Sequence, residues 1–181
     1  MVRRRDRSGR ESNWNDFQGQ HDVISITGSS GSVAVAGQSM TRIELLQFLR
    51  RHRIGVLSTV SPAGTPEAAV VGIAITDDLE IFFDTLDSSR KCVNLRHSPN
   101  IAFVIGWDKE ITVQYEGIAD EPKGAELERL KQVYFAVYPD GPERQNWPGI
   151  TYFRVRPLWA RYSDFNAGGK IVEFSQADLA G

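Results

Sequence analysis

The chain is poor in the residues that build covalently or metal-stabilised folds. Its 181 residues include one cysteine, Cys92, and three histidines, His21, His52 and His97. A lone cysteine excludes an internal disulfide and a cysteine-based zinc cluster, and Cys92 reads as a small buried hydrophobe. The histidines stand far apart, with no H-x-x-x-H or H-E-x-x-H spacing, so no metal site is expected. An excess of one charge is also lacking. The 21 Lys and Arg nearly balance the 23 Asp and Glu, and a net charge of -2 speaks against nucleic acid as a partner. No apolar run approaches the roughly 20 residues that a membrane helix needs. The Arg-rich start is not followed by a continuous apolar stretch. Neither a membrane partner nor a secretory leader is therefore expected, and the chain reads as cytoplasmic. Glycine-lysine phosphate loops and G-x-S-x-G nucleophile turns are absent, which leaves the catalytic residues unassigned.

What is present is enough for one packed domain. Hydrophobic residues make up 41% of the chain and aromatics 10%. Residues 1–39 hold 7 Ser and 5 Gly and keep no periodic apolar face, so they read as a mobile tail. The domain is expected over 40–181, with Met40 a candidate translation start. Ile43, Leu46 and Leu49 then recur at helical spacing, predicting a helix from Thr41 to His52 with Ser39 or Thr41 as its cap. Beyond it the period falls to two. Strands are expected at Ile54–Ser61, Glu67–Thr76, Leu79–Thr85, Ile101–Trp107, Glu110–Ala119 and Thr151–Asp164, with a further short one near Ile171–Phe174. Short turns, such as Asp77-Asp78, make neighbouring strands antiparallel. A short helix follows Ser88 or Ser89, and a longer one carries Leu127, Leu130, Tyr134 and Val137. The sum is a mainly β protein with peripheral helices, a six-stranded antiparallel split β-barrel of Greek-key type.

The densest chemistry lies at Ser88-Ser89-Arg90-Lys91. Two hydroxyls, a guanidinium, an ammonium and the free N–H groups of a helix start fall within one turn. All are donors to an oxyanion such as a phosphate monoester. Gly72, inside the apolar run VVGIAI, marks either a place where a flat ligand or another backbone comes close or a bend in the barrel.

The order of these features resembles the pyridoxamine 5'-phosphate oxidase-like family of FMN-binding split barrels. The residues that carry it are GVLSTVSPAGTPEAAVVGIAI, LEIFFDTLDSSRKCVNLRHSPNIAFVIGW and ITVQYEGIAD. The resemblance implies a homodimer with FMN at the subunit interface. Arg90 and Lys91 would hold the phosphate, aided by the hydroxyls of Thr85 and Ser89. The backbone of Val71, Gly72 and Ile73 would lie along the flavin ring, and Thr112 stands where the family usually places Gln. The true oxidase carries a C-terminal Arg-x-His. The matching region here, WARYSDFNAGGKIVEF, has none, so the substrate is expected to be a small molecule other than pyridoxamine phosphate. FMN-dependent oxidoreduction of a small molecule is the expected function, with NAD(P)H a candidate electron donor that the sequence does not fix. The alternatives are a non-catalytic flavin-binding protein and a relative that binds deazaflavin or haem.

Overall fold

The computed structural model describes residues 39–166 and 169–180. The tail expected over 1–39 lies outside these residues, apart from Ser39. The first element, α1 (Arg42–Arg50), starts at Thr41, whose side chain accepts from the Glu44 N–H while the Glu44 carboxylate accepts from the Thr41 N–H at 2.7 Å. This reciprocal pair satisfies two donors that a helix start leaves open. The helix buries Leu45, Phe48 and Leu49 and ends two residues before the expected His52.

Eight strands follow in place of the expected six. They are β1 (Ile54–Val60), β2 (Pro66–Gly72), β3 (Ala74–Ile75), β4 (Ile81–Leu86), β5 (Asn100–Ile105), β6 (Ile111–Asp120), β7 (Ile150–Asp164) and β8 (Lys170–Phe174). Helix α2 (Arg90–His97) separates β4 from β5, while α3 (Gly124–Val137) and the single turn α4 (Gly141–Arg144) separate β6 from β7; α5 (Gln176–Leu179) closes the chain. The sheet order is β2-β1-β5-β6-β7-β4-β3, with β8 on β7, and every pairing is antiparallel. Strands β5, β6 and β7 lie side by side, and β4 returns beside β7, which is a Greek key.

One of the two extra strands is β8, the short one expected near Ile171–Phe174, and the other arises because the expected strand Glu67–Thr76 serves two sheet edges. Its first part pairs with β1 from Ile54↔Gly72 to Val60↔Pro66, whereas Ala74 and Ile75 pair with Phe82 and Ile81 of β4. Between them, the Ile73 N–H donates to the Arg53 carbonyl at 2.8 Å. The two edges of the open order are thus joined by a single residue, and the sheet must curl until they meet.

The interior of the curl is one apolar cluster that includes Leu57, Ile73, Ile81, Phe83, Phe103, Val113 and Val155. Phe83 stacks on Phe153 at 5.7 Å and meets Phe103 edge-on at 6.2 Å. Cys92 is fully buried in the same cluster, and burial pushes its thiol up. A second cluster lies outside the curl. There α3 covers β4 and β7, with Phe82 stacked on Tyr152 at 5.4 Å and Leu130 and Tyr134 above them.

The long strand β7 carries a bulge. Glu116 pairs with Trp159 and Gly117 with Pro157, which leaves Leu158 unmatched. Pro157 has no N–H to give a ladder, so a bulge is where it fits. The extra residue inverts the alternation: Phe153 and Val155 face the core before it, Ala160 and Tyr162 after it. Gly117 sits against this kink, and a Cβ there would lie 2.4 Å from the Arg156 carbonyl oxygen. Gly117→Ala is therefore expected to destabilise the fold by about 1–3 kcal/mol, as overpacking does. Urea unfolding measures it as a lower midpoint at constant slope.

Candidate functional site

The closure at Ile73 leaves the other end of the curl open. There β2 and β4 diverge, and a cleft of about 380 Å³ lies between the 66–69 stretch of β2, Leu57 and Thr59 of β1, and Arg90 and Lys91 of α2. That volume falls within the usual range for small-molecule sites. Inward-facing β1 positions alternate as Gly55, Leu57 and Thr59, so the floor changes from apolar to hydroxyl toward the mouth.

The turn after β4 positions the cations. The Ser89 N–H donates to the Leu86 carbonyl at 2.9 Å, and α2 begins at the next residue. Ser89 is the N-cap, but its side chain makes no capping bond. Its Oγ lies 3.2 Å from Thr85 Oγ1, and Lys91 Nζ donates to the same Thr85 oxygen at 3.3 Å. Four of the eight expected residues, Thr85, Ser89, Arg90 and Lys91, are thus brought together.

The other four are placed elsewhere. Val71 faces the core and is nearly buried, and Ile73 is 1% exposed in the closure. Gly72 faces the other way, toward α3, where a Cβ would lie 2.8 Å from the Tyr138 hydroxyl. The close neighbour expected at this glycine is therefore a tyrosine of the same chain. Thr112, on β6, pairs with Ser163 of β7; β6 is separated from β2 by β1 and β5 in the sheet order, and Thr112 does not line the cleft.

Three site residues carried no signal in the sequence. Glu67, on the inner side of β2, forms an ion pair with Arg90. Its other oxygen accepts from Asn94 Nδ2 at 2.9 Å, and that nitrogen also donates to Thr59 Oγ1 at 2.9 Å. Asn94 and Thr59 are 2% and 4% exposed, so the chain Thr59–Asn94–Glu67 is a buried brace. The pairing spans 23 residues between Glu67 and Arg90, and no local pattern announces such a contact.

Beside the cleft, the outer face of β2, β1 and β5 is apolar. Val56 pairs with Val70 and Val104, and Ser58 with Ala68 and Ala102. Val70 is 63% exposed and Val60 is 42% exposed. Among the described residues no helix is long and apolar enough to cross a membrane.

A Greek-key antiparallel sheet curled into a split barrel, with an anion-suited helix start at its open end, defines the class of protein. Residues 41–164 match the family model described as pyridoxamine 5'-phosphate oxidase, and the chain belongs to that family. A pyridoxine/pyridoxamine 5'-phosphate oxidase of Burkholderia thailandensis is 36% identical over 92 residues, half of this chain and 41% of that protein. The chain thus matches well under half the length of this relative. Among solved structures, a haem-binding protein from Mycobacterium smegmatis superposes with a TM-score of 0.68 at 16% identity, covering 79% of this chain and 61% of the other. A pyridoxamine 5'-phosphate oxidase-related, FMN-binding protein from Nostoc punctiforme does so with a TM-score of 0.57 at 12% identity, covering 74% and 87%.

Arg90 and Asn94 hold the Glu67 carboxyl below its ordinary value of 4.5. A lowered carboxyl stabilises the fold above its unfolded pKa and loses that contribution as pH falls through the folded one. Stability measured from pH 7 down to pH 3 should therefore fall less steeply below about pH 4.5 in Glu67→Gln than in the wild type.

Proposed function

We propose that the cleft binds a flavin mononucleotide and that the protein is an FMN-dependent oxidoreductase acting on a small molecule as a homodimer. The observation that carries this reading is that Arg90 and Lys91, at the start of α2, line the cleft, with the Thr85 and Ser89 hydroxyls bonded to each other just behind them and Lys91 donating to Thr85. An uncapped helix start, a planar guanidinium and an ammonium are donors of the kind a phosphate monoester requires. The donor set fits the phosphate end of the cofactor, and Leu57, Ala68 and Ala69 supply small apolar surface beside it. When bound, FMN supplies the hydride chemistry, and the protein's part is to hold the phosphate, exclude water and orient the substrate. Among the described residues, no histidine, cysteine, methionine or tyrosine lines this cleft, so they offer haem no axial ligand of those types. A deazaflavin with a longer anionic tail would call on further cations, but Arg96 is already held by Glu121 at 2.7 Å and by Asp87.

The homodimer reading rests on the exposed Val70 face. An apolar sheet face of this kind is covered in stable proteins by a second layer, and the cleft opens at its edge. A second copy seated there would wall the cleft on its open side.

Two measurements test these readings. The purified protein, mixed with FMN, should show oxidised-flavin absorbance that stays with it through gel filtration. Arg90→Ala should weaken FMN binding roughly tenfold to a few hundredfold, the loss of one or two charge-assisted hydrogen bonds. Riboflavin, which lacks the phosphate, should bind both proteins weakly and equally. Val70→Lys should convert a dimer to a monomer in sedimentation equilibrium at micromolar concentration; a wild-type monomer under those conditions refutes the dimer.

A further inference from the structure

The loop that leads into β7 is fastened to the end of β4 at two points, one on either side of Thr85. The first is a side chain. Arg144 of α4 stands 3.5 Å from the Asp84 carboxylate and donates to the Tyr134 hydroxyl at 3.4 Å, and that hydroxyl donates to Asp84 at 2.8 Å. The Asp84 and Arg144 side chains are 12% and 23% exposed, and the guanidinium lies 5.6 Å from the centre of the Tyr138 ring. The second point is backbone. The Asp87 N–H donates to the Gly149 carbonyl at 2.6 Å, one residue beyond the Leu86↔Ile150 pair that ends the ladder. Between these points the loop is bonded to itself. Trp147 N–H donates to the Arg144 carbonyl at 2.9 Å, and the Gln145 and Asn146 side chains donate to the Pro142 carbonyl. Among the described residues, Arg144 is thus the side chain of this loop that makes an ion pair with β4. Asp84 Oδ2 and Arg144 Nε are buried with no hydrogen-bond partner among those residues. A buried charge pair this loosely joined adds little to stability that apolar side chains would not add. What it does supply is a defined place for the loop.

We infer that Arg144 is a positioning residue for phosphate binding: paired with Asp84, it fixes the loop that holds the Asp87 N–H, and so aims the turn from which Arg90 and Lys91 enter the cleft. Leu86 lies between the two fastened residues, and its carbonyl accepts from the Ser89 N–H at 2.9 Å and from Cys92 Sγ at 3.2 Å. A displacement at 86–87 is therefore passed directly to the start of α2. Arg144 does not line the cleft, so its effect reaches a ligand only through this turn. The phosphate ligand rests on the flavin reading above, whereas the fastening of the turn rests on these contacts alone.

The test compares the full chain with Arg144→Ala and with Asp84→Ala/Arg144→Ala, which leaves neither charge buried alone. Amide exchange at Asp87, followed by NMR without flavin, reads the turn, and titrations with FMN and riboflavin read the ligand. Both variants should exchange the Asp87 N–H about tenfold faster than the wild type, while the amides of β6 keep their protection. FMN binding should weaken roughly fivefold to thirtyfold in both, and riboflavin binding should not change. Arg144→Gln keeps a donor for Tyr134 without the charge. It should show the same pattern to a smaller degree, which guards against a folding defect in the alanine variants. Unchanged exchange at Asp87 overturns the inference. So does an FMN affinity equal to the wild type's, or an equal loss of affinity for both flavins, which is the mark of general damage. If Asp87 exchange rises as expected but neither flavin binds any of the proteins, the flavin assignment falls and the fixing of the turn by Arg144 stands.

Discussion

The structure depends on one chain constraint: a single residue, Ile73, carries the backbone from one edge of the sheet to the other. Gly72 ends the pairing with β1 and Ala74 begins the pairing with β4. Consecutive Cα atoms are about 3.8 Å apart, so these edges cannot separate by more than about 7.6 Å at that point. An eight-stranded sheet held this way must curl, and its inward faces then supply the aromatic cluster around Phe83, Phe103 and Phe153. The same constraint creates the cleft. Pinned at 72–74, β2 and β4 diverge toward their other ends, at Pro66 and Thr85, where α2 delivers Arg90 and Lys91.

The two halves of the curl are covered unequally. Strands β4 and β7 carry a second layer, where α3 stacks on Phe82 and Tyr152 and the Tyr134 hydroxyl donates to Asp84 at 2.8 Å. Burial and the nearby Asp84 carboxylate push the Tyr134 phenol far above its usual range, which keeps it a neutral donor. Among the described residues, strands β1, β2 and β5 have no such layer over Val56, Val70 and Val104. The cleft lies against this single-walled half, so whatever completes the wall also shapes the binding site.

Much of this was legible because it is local. The helix cap offered by Ser39 or Thr41, the period-two strands and the donor-rich turn at 88–91 each announce themselves within a few residues. The family resemblance rested on the order of such segments, and it carried the fold. What escaped was set by contacts distant in sequence. EAAVVGIAIT reads as one strand because nothing in its side chains marks the change of partner at Ile73. Glu67 reads as an ordinary strand residue because its significance comes from Arg90 and Asn94, which only the curled sheet brings to it. Gly72 has its close neighbour within the chain, the Tyr138 hydroxyl of α3's end. Pro157 was a visible sign of the β7 bulge, since proline is a poor fit within an ordinary strand pairing.

That bulge limits where this chain can change in length. Leu158 reverses which residues face inward, so everything from Trp159 to Asp164, and β8 paired to it, depends on a single inserted residue. Loss of one residue there would turn Ala160 and Tyr162 outward together and strip β8 of its partner face. Insertions and deletions that preserve the fold must therefore come elsewhere, in the turns and connections. The interior of β7 is open to substitution but closed to any change in count.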